Sequence, residues 1–140
     1  MISKNLDNTQ KIADNFISGL KLSQTATVVG LYGDLGSGKT TFTQCIAKIL
    51  GVSENVTSPT FVIEKIYELQ NQIFSHLIHI DAYRIDKSEE LLHLGWKEII
   101  SESENLVLIE WPERVADIMP PQIKVNFSHI SEDGRKIEIN

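Results

Sequence analysis

Gly33-Asp34-Leu35-Gly36-Ser37-Gly38-Lys39-Thr40-Thr41 is the stretch that decides the fold. It has a glycine, four intervening residues, then Gly-Lys-Thr, the pattern of a loop that wraps phosphate groups. Glycines let the backbone turn tightly and approach a polyphosphate closely. Successive amides then form an anion-binding nest. In that geometry Lys39 reaches the outer phosphates, and the Thr40 hydroxyl is placed to ligate a magnesium ion.

The flanking residues give the loop its context. Upstream, Thr27-Val28-Val29-Gly30-Leu31-Tyr32 is β-branched and apolar, as a buried parallel strand requires. Downstream, Phe42, Cys45, Ile46, Ile49 and Leu50 recur at helical spacing, and Gly51 follows where a helix C-terminus favours glycine. Strand, glycine loop and helix in this order place a helix N-terminus against the phosphates. This is the arrangement of P-loop nucleotide hydrolases and kinases.

Residues 1–140 are read as a single domain. Net charge is −6 and no Lys/Arg cluster marks a nucleic-acid groove, so tight binding of a polyanion other than the nucleotide is not expected of this chain alone. A single cysteine, Cys45, excludes an internal disulfide framework, and its position on an apolar helix face makes it a core residue. The polar start and the lack of a long apolar run point to a cytoplasmic protein with no membrane association.

Residues 6–20 carry an apolar helical stripe (Leu6, Ile12, Ala13, Phe16, Ile17, Leu20), with Asp7 or Asn8 as the expected cap. Thr9 on this helix is a candidate contact near a nucleotide base. Residues 60–67 and 73–80 read as an antiparallel hairpin with a turn at Asn71-Gln72. Residues 88–101 read as a helix capped by Ser88 and interrupted at Gly95, and residues 105–109 as a buried strand. A short helical piece stopped by Pro120-Pro121 and a closing hairpin, with Ile123, Val125 and Phe127 opposite Ile137 and Ile139, complete the chain.

A phosphate loop needs an acid to hold magnesium and to place the attacking group. Glu110 follows Leu106-Val107-Leu108-Ile109, four apolar residues and then an acid; Asp81 ends Leu77-Ile78-His79-Ile80-Asp81. Both stand at the sheet edge where open α/β folds bind ligands. Thr57-Ser58-Pro59-Thr60 has the position of a switch loop. Arg84 is a candidate for stabilising transition-state charge or for an ion pair. His79 and Asp81 share a strand face, but no further His or Cys joins them, which argues against a transition-metal site. Trp96 reads as core, and Trp111, directly after Glu110, lies close to the site.

Taken together the pieces resemble the TsaE (YjeE) family. The resemblance rests on Gly33 to Phe42, Ser58-Pro59-Thr60-Phe61, His79-Ile80-Asp81-Ala82-Tyr83-Arg84, Leu94-Gly95 and Glu110-Trp111-Pro112, and runs from about Asp7 to about Arg135. It implies an α/β P-loop NTPase-like sheet with a parallel centre, flanking antiparallel strands and helices on both faces. It also implies ATP or ADP with magnesium. The nucleotide contacts would be Gly33, Asp34, Leu35, Gly36, Ser37, Gly38, Lys39, Thr40 and Thr41, with Thr60, Thr9 and Arg135 beside them. Thr40 and Glu110 would hold the metal, and Lys39, Asp81 and Glu110 would be catalytic. The family's ATPase is weak alone and works with two partners, TsaB and TsaD, in threonylcarbamoyladenosine modification of tRNA. Hydrolysis there is expected to reset the complex between turnovers. The free chain is expected to be a monomer and to meet tRNA only through the complex.

Two other readings stay open on residues alone. A small-molecule kinase usually brings arginines over the phosphates on a lid, whereas this chain has three arginines (Arg84, Arg114, Arg135) and no evident lid segment. A GTP switch usually carries Asn-Lys-x-Asp, which is absent.

Overall fold

A computed structural model of the chain describes residues 1–54, 56, 63–132 and 134–140. In chain order the strands are β1 (Ile2–Ser3), β2 (Thr27–Tyr32), β3 (Glu64–Glu68), β4 (His76–Asp81), β5 (Asn105–Glu110), β6 (Ile123–His129) and β7 (Arg135–Ile139). The helices are α1 (Leu6–Ser18), α2 (Lys39–Ile49), α3 (Ser88–Leu92) and α4 (Trp96–Ser101), with a 3₁₀ segment over Pro112–Ile118. The strands form one sheet in the order β1-β7-β6-β2-β5-β4-β3. Its centre, β6-β2-β5-β4, is parallel. The edges β3, β7 and β1 run antiparallel to their neighbours.

Both sheet faces are covered, which explains why the central strands read as continuous apolar runs. Every residue of β5 is buried. Val29, Leu31, Leu106 and Leu108 face one layer with Ile12 and Ala13 of α1 and Phe42 and Ile46 of α2. Their alternates Val28, Val107 and Ile109 face Leu91, Trp96, Ile99 and Val115 on the other side. Phe42 joins the first layer together, with its ring 6.0 Å from Phe16 and 5.4 Å from Phe127.

The expected parallel-centred sheet with helices on both faces is the observed fold, and both hairpins, β3-β4 and β6-β7, are antiparallel as read. Three local details differ. The cap of α1 is Asn5, whose side chain accepts from the Asn8 amide, rather than Asp7 or Asn8. Ser88 is the first residue of α3, not its cap; Glu90 instead accepts from the amides of Asp86 and Lys87. The N-terminal residues, read as a polar lead-in, contribute β1, which pairs with β7. The first half of the expected strand over 60–67, and the Thr57-Ser58-Pro59-Thr60 loop with its candidate Thr60, lie outside the described residues.

Candidate functional site

Because β2, β4 and β5 are parallel, their C-terminal ends meet at one edge. Gly33 follows β2, and the register pairs Asp81 directly with Glu110 at the ends of β4 and β5. Ligands bind at this edge in open parallel sheets.

The loop between β2 and α2 has the backbone its glycines allow. Gly33, Gly36 and Gly38 take φ of 149°, 74° and 112°. At Gly33 space matters as much as angle, because a Cβ there would lie 2.7 Å from the Phe127 carbonyl oxygen. The α2 cap is Gly38, which has no capping side chain, so its cap leaves the first-turn amides unoccupied, and the helix dipole adds partial positive charge there. Ser37 is buried, and its Oγ has no hydrogen-bond partner among the described residues. An unsatisfied buried hydroxyl costs about 1–3 kcal/mol, a cost that an acceptor such as a phosphate oxygen removes.

Lys39 is 5% exposed. Its ammonium donates to the Gly33 carbonyl and, at 3.0 Å, to the Asp34 carbonyl, and it stands 4.2 Å from the centre of the Trp111 ring. Burial pushes its pKa down, and the nearby charges of Glu110, Glu113, Asp81 and Asp34 oppose that shift.

In the first turn of α2, the Thr40 hydroxyl donates to Glu110 Oε1 at 3.3 Å. The other carboxylate oxygen, Oε2, lies 2.6 Å from His79 Nε2. Glu110 is 3% exposed and His79 is fully buried. Asp81 is half-buried and its Oδ1 accepts from the Tyr83 amide at 3.0 Å. Tyr83 in turn packs on Trp111, ring centres 5.0 Å apart, and Arg114 lies 5.6 Å over the Tyr83 ring. Trp111 has φ of 59°, an uncommon backbone angle for a bulky residue, and the Pro112–Ile118 segment begins immediately after it.

These groups surround a cleft of about 1010 Å³. Of the residues singled out in the sequence, Thr9, Leu35, Gly36, Gly38, Lys39, Thr40, Thr41, Asp81, Glu110 and Arg135 line it, as do Arg84 and Trp111. Gly33, Asp34 and Ser37 sit in the same loop without lining the cleft. At the end away from Glu110, Ser3 and Thr9 share a hydrogen bond of 2.6 Å. Arg135 approaches the loop there, its Cδ 3.8 Å from where a Gly38 Cβ would stand. Cys45 is buried elsewhere, and burial raises its thiol pKa.

The donor set is specific in character. The loop offers amides, a hydroxyl and an ammonium to an anion. Thr40 and Glu110 offer two hard oxygens to a cation. Magnesium takes few protein ligands and fills its sphere with water and phosphate oxygens, so a pair of this kind suits it. Among the described residues no group of three His, Cys, Asp or Glu side chains comes together, the arrangement a zinc site would need. The sequence reading did not place His79 on Glu110; its signal was a histidine inside an otherwise apolar strand, two residues before a strand-end acid. Among the described residues no helix is long and apolar enough to cross a membrane.

Known proteins resemble this chain along nearly its whole length. The family described as "Threonylcarbamoyl adenosine biosynthesis protein TsaE" matches residues 3–137. The chain is 37% identical to the tRNA threonylcarbamoyladenosine biosynthesis protein TsaE of Rickettsia felis, over 99% of this chain and 78% of that one. It is 36% identical to the protein of the same name from Haemophilus influenzae, over 86% of this chain and 74% of that one. The crystal structure of Bacillus subtilis YdiB superposes with a TM-score of 0.76 at 29% identity, covering 98% of this chain and 80% of that one. The phosphate-loop fold, the cleft at its parallel edge and a family match across nearly the whole chain lead to one assignment: the chain belongs to the TsaE family.

Proposed function

We propose that this chain binds ATP with magnesium and hydrolyses it in the service of threonylcarbamoyl modification of adenosine in tRNA, with TsaB and TsaD as its partners. Family membership supports the pathway. The observation that carries the chemistry is the convergence of Thr40 and Glu110 beside the phosphate loop that holds the Lys39 ammonium.

In this reading the loop amides and Lys39 hold the polyphosphate. Lys39 gives up its carbonyl partners for phosphate oxygens, a short movement for a flexible side chain. Thr40 and Glu110 hold the magnesium ion, which supplies charge neutralisation on the phosphate oxygens when bound. Asp81, at the same edge, accepts a hydrogen bond from the attacking water and orients it. Catalysis rests on positioning and charge stabilisation. Thr9, with Ser3 beside it, lies at the nucleoside end, and Arg135 adds positive charge beside Gly38 of the loop. The net charge of −6 fits a subunit that meets tRNA through a complex rather than directly.

The test is to incubate the purified chain with ATP radiolabelled on its γ-phosphate, magnesium and a panel of small-molecule acceptors. Released inorganic phosphate as the sole labelled product supports the hydrolase. A labelled acceptor would identify a kinase and overturn the reading. ADP binding in preference to GDP is expected in parallel, because no guanine-recognition motif is present.

A further inference from the structure

We infer that His79 is a positioning residue for Glu110, fixing the carboxylate in the rotamer that presents Oε1 to Thr40 and to the metal. The inference rests on the nucleotide–magnesium reading above and adds a residue to its machinery.

His79 and Glu110 come from neighbouring parallel strands, and the register sets Asp81 beside Glu110 and His79 beside Leu108. Leu77, His79 and Asp81 therefore share a sheet face with Leu106, Leu108 and Glu110. Leu77, Leu106 and Leu108 are all fully buried in the layer under α1 and α2. A histidine in that row interrupts an apolar layer and must be hydrogen-bonded to be tolerated. It is bonded through one atom only: Nε2 meets Glu110 Oε2 at 2.6 Å, while Nδ1 is buried with no partner among the described residues. An imidazole nitrogen and a carboxylate oxygen are complementary hydrogen-bonding groups, so this one bond ties the ring to the carboxylate.

A purely structural residue in this row would be a leucine like its neighbours, with no stranded nitrogen. What the histidine adds is a second grip on Glu110. A glutamate has three rotatable side-chain bonds, and Thr40 alone restrains one oxygen at the long distance of 3.3 Å. The imidazole is rigid, buried and anchored in β4, so it removes the remaining freedom. Groups that orient a metal-binding side chain from behind typically change metal affinity or activity by about 10–100-fold when removed.

The experiment measures the affinity of the non-hydrolysable analogue AMP-PNP by calorimetry, in excess EDTA and in excess magnesium, for the wild type, His79→Leu, His79→Gln and His79→Asn. Thermal melts verify folding. The wild type is expected to gain affinity with magnesium. His79→Leu keeps the EDTA affinity and loses about tenfold of the magnesium gain. His79→Gln, whose amide nitrogen falls near the Nε2 position, restores the gain, and His79→Asn, too short to reach Glu110, does not. A His79→Leu protein with the full magnesium gain would overturn the inference while leaving the nucleotide reading intact. If His79→Leu does not fold, equal magnesium gains in the Gln and Asn proteins overturn it. A wild type that fails to bind AMP-PNP, or gains nothing from magnesium, would refute the nucleotide reading itself and the role of His79 with it.

Discussion

The Thr40 hydroxyl donates to Glu110 Oε1 at 3.3 Å across 70 residues of chain, joining the start of α2 to the end of β5. Glu110 is nearly buried at the end of an otherwise apolar strand, and Thr40 stands in the first turn of a helix whose cap is glycine. In the proposed function the pair makes Glu110 the metal-holding acid. Glu110→Gln keeps a group of the same size for His79 and Thr40 but removes the negative charge. Magnesium-dependent turnover is expected to fall by about 100-fold, with AMP-PNP affinity in EDTA unchanged. Equal losses in both, by calorimetry and phosphate release, would remove Glu110 from the metal role.

Lys39 links function and stability with opposite signs. Its ammonium is buried, which pushes its pKa below the ordinary lysine value. The charged form therefore costs stability at neutral pH. That cost is fully present below the lowered folded-state pKa and is relieved as pH rises from there towards the unfolded-state value. Lys39→Met is expected to abolish nucleotide binding while melting no lower than the wild type at pH 7. The melting difference should narrow as pH rises towards 10.5, the ordinary lysine value. A Lys39→Met protein that is much less stable at pH 7 would mean that the bonds to Gly33 and Asp34 outweigh the burial.

The loop glycines should not be equivalent. A Cβ on Gly33 would collide with the Phe127 carbonyl, whereas one on Gly36 would meet open space. Gly36→Ala bears only the left-handed backbone penalty, about 1–2 kcal/mol. Gly33→Ala adds a clash with backbone and is expected to cost at least about 3 kcal/mol. Urea midpoints of the two proteins give the comparison directly, and a smaller loss at Gly33 would contradict the described loop.

Asn5 holds the start of α1 by accepting the Asn8 amide at 2.9 Å. Asn5→Ala is expected to cost about 1 kcal/mol, a fall of a few degrees in melting temperature. Asp7→Ala, which removes only a favourable first-turn charge, should cost less. The reverse order would return the cap to Asp7.

What was legible in the sequence was what is local. The strand-loop-helix around Lys39 is specified within about two dozen neighbouring residues, by β-branched runs, glycines and helical spacing. Glu110 and Asp81 were legible because an acid after an apolar strand marks the edge where ligands bind. Contacts set by long-range register were not. β1 is two residues long and exists only through pairing with β7 at the far end of the chain. The His79–Glu110 contact follows from the parallel pairing of β4 with β5, and nothing local to either strand states it. The caps were misread by a few positions because Asn5, Asp7 and Asn8 are all competent capping residues, and Ser88 is one beside Lys87. Only the path of the chain into each helix selects among them.

Steady-state ATP hydrolysis by the purified chain, with and without TsaB and TsaD from the same source, tests the proposed function most directly. Slow phosphate release alone and clear stimulation by the pair, both abolished by Lys39→Ala, is the expected result. Hydrolysis that is fast in isolation and indifferent to the pair, or that survives Lys39→Ala at the normal rate, would contradict it.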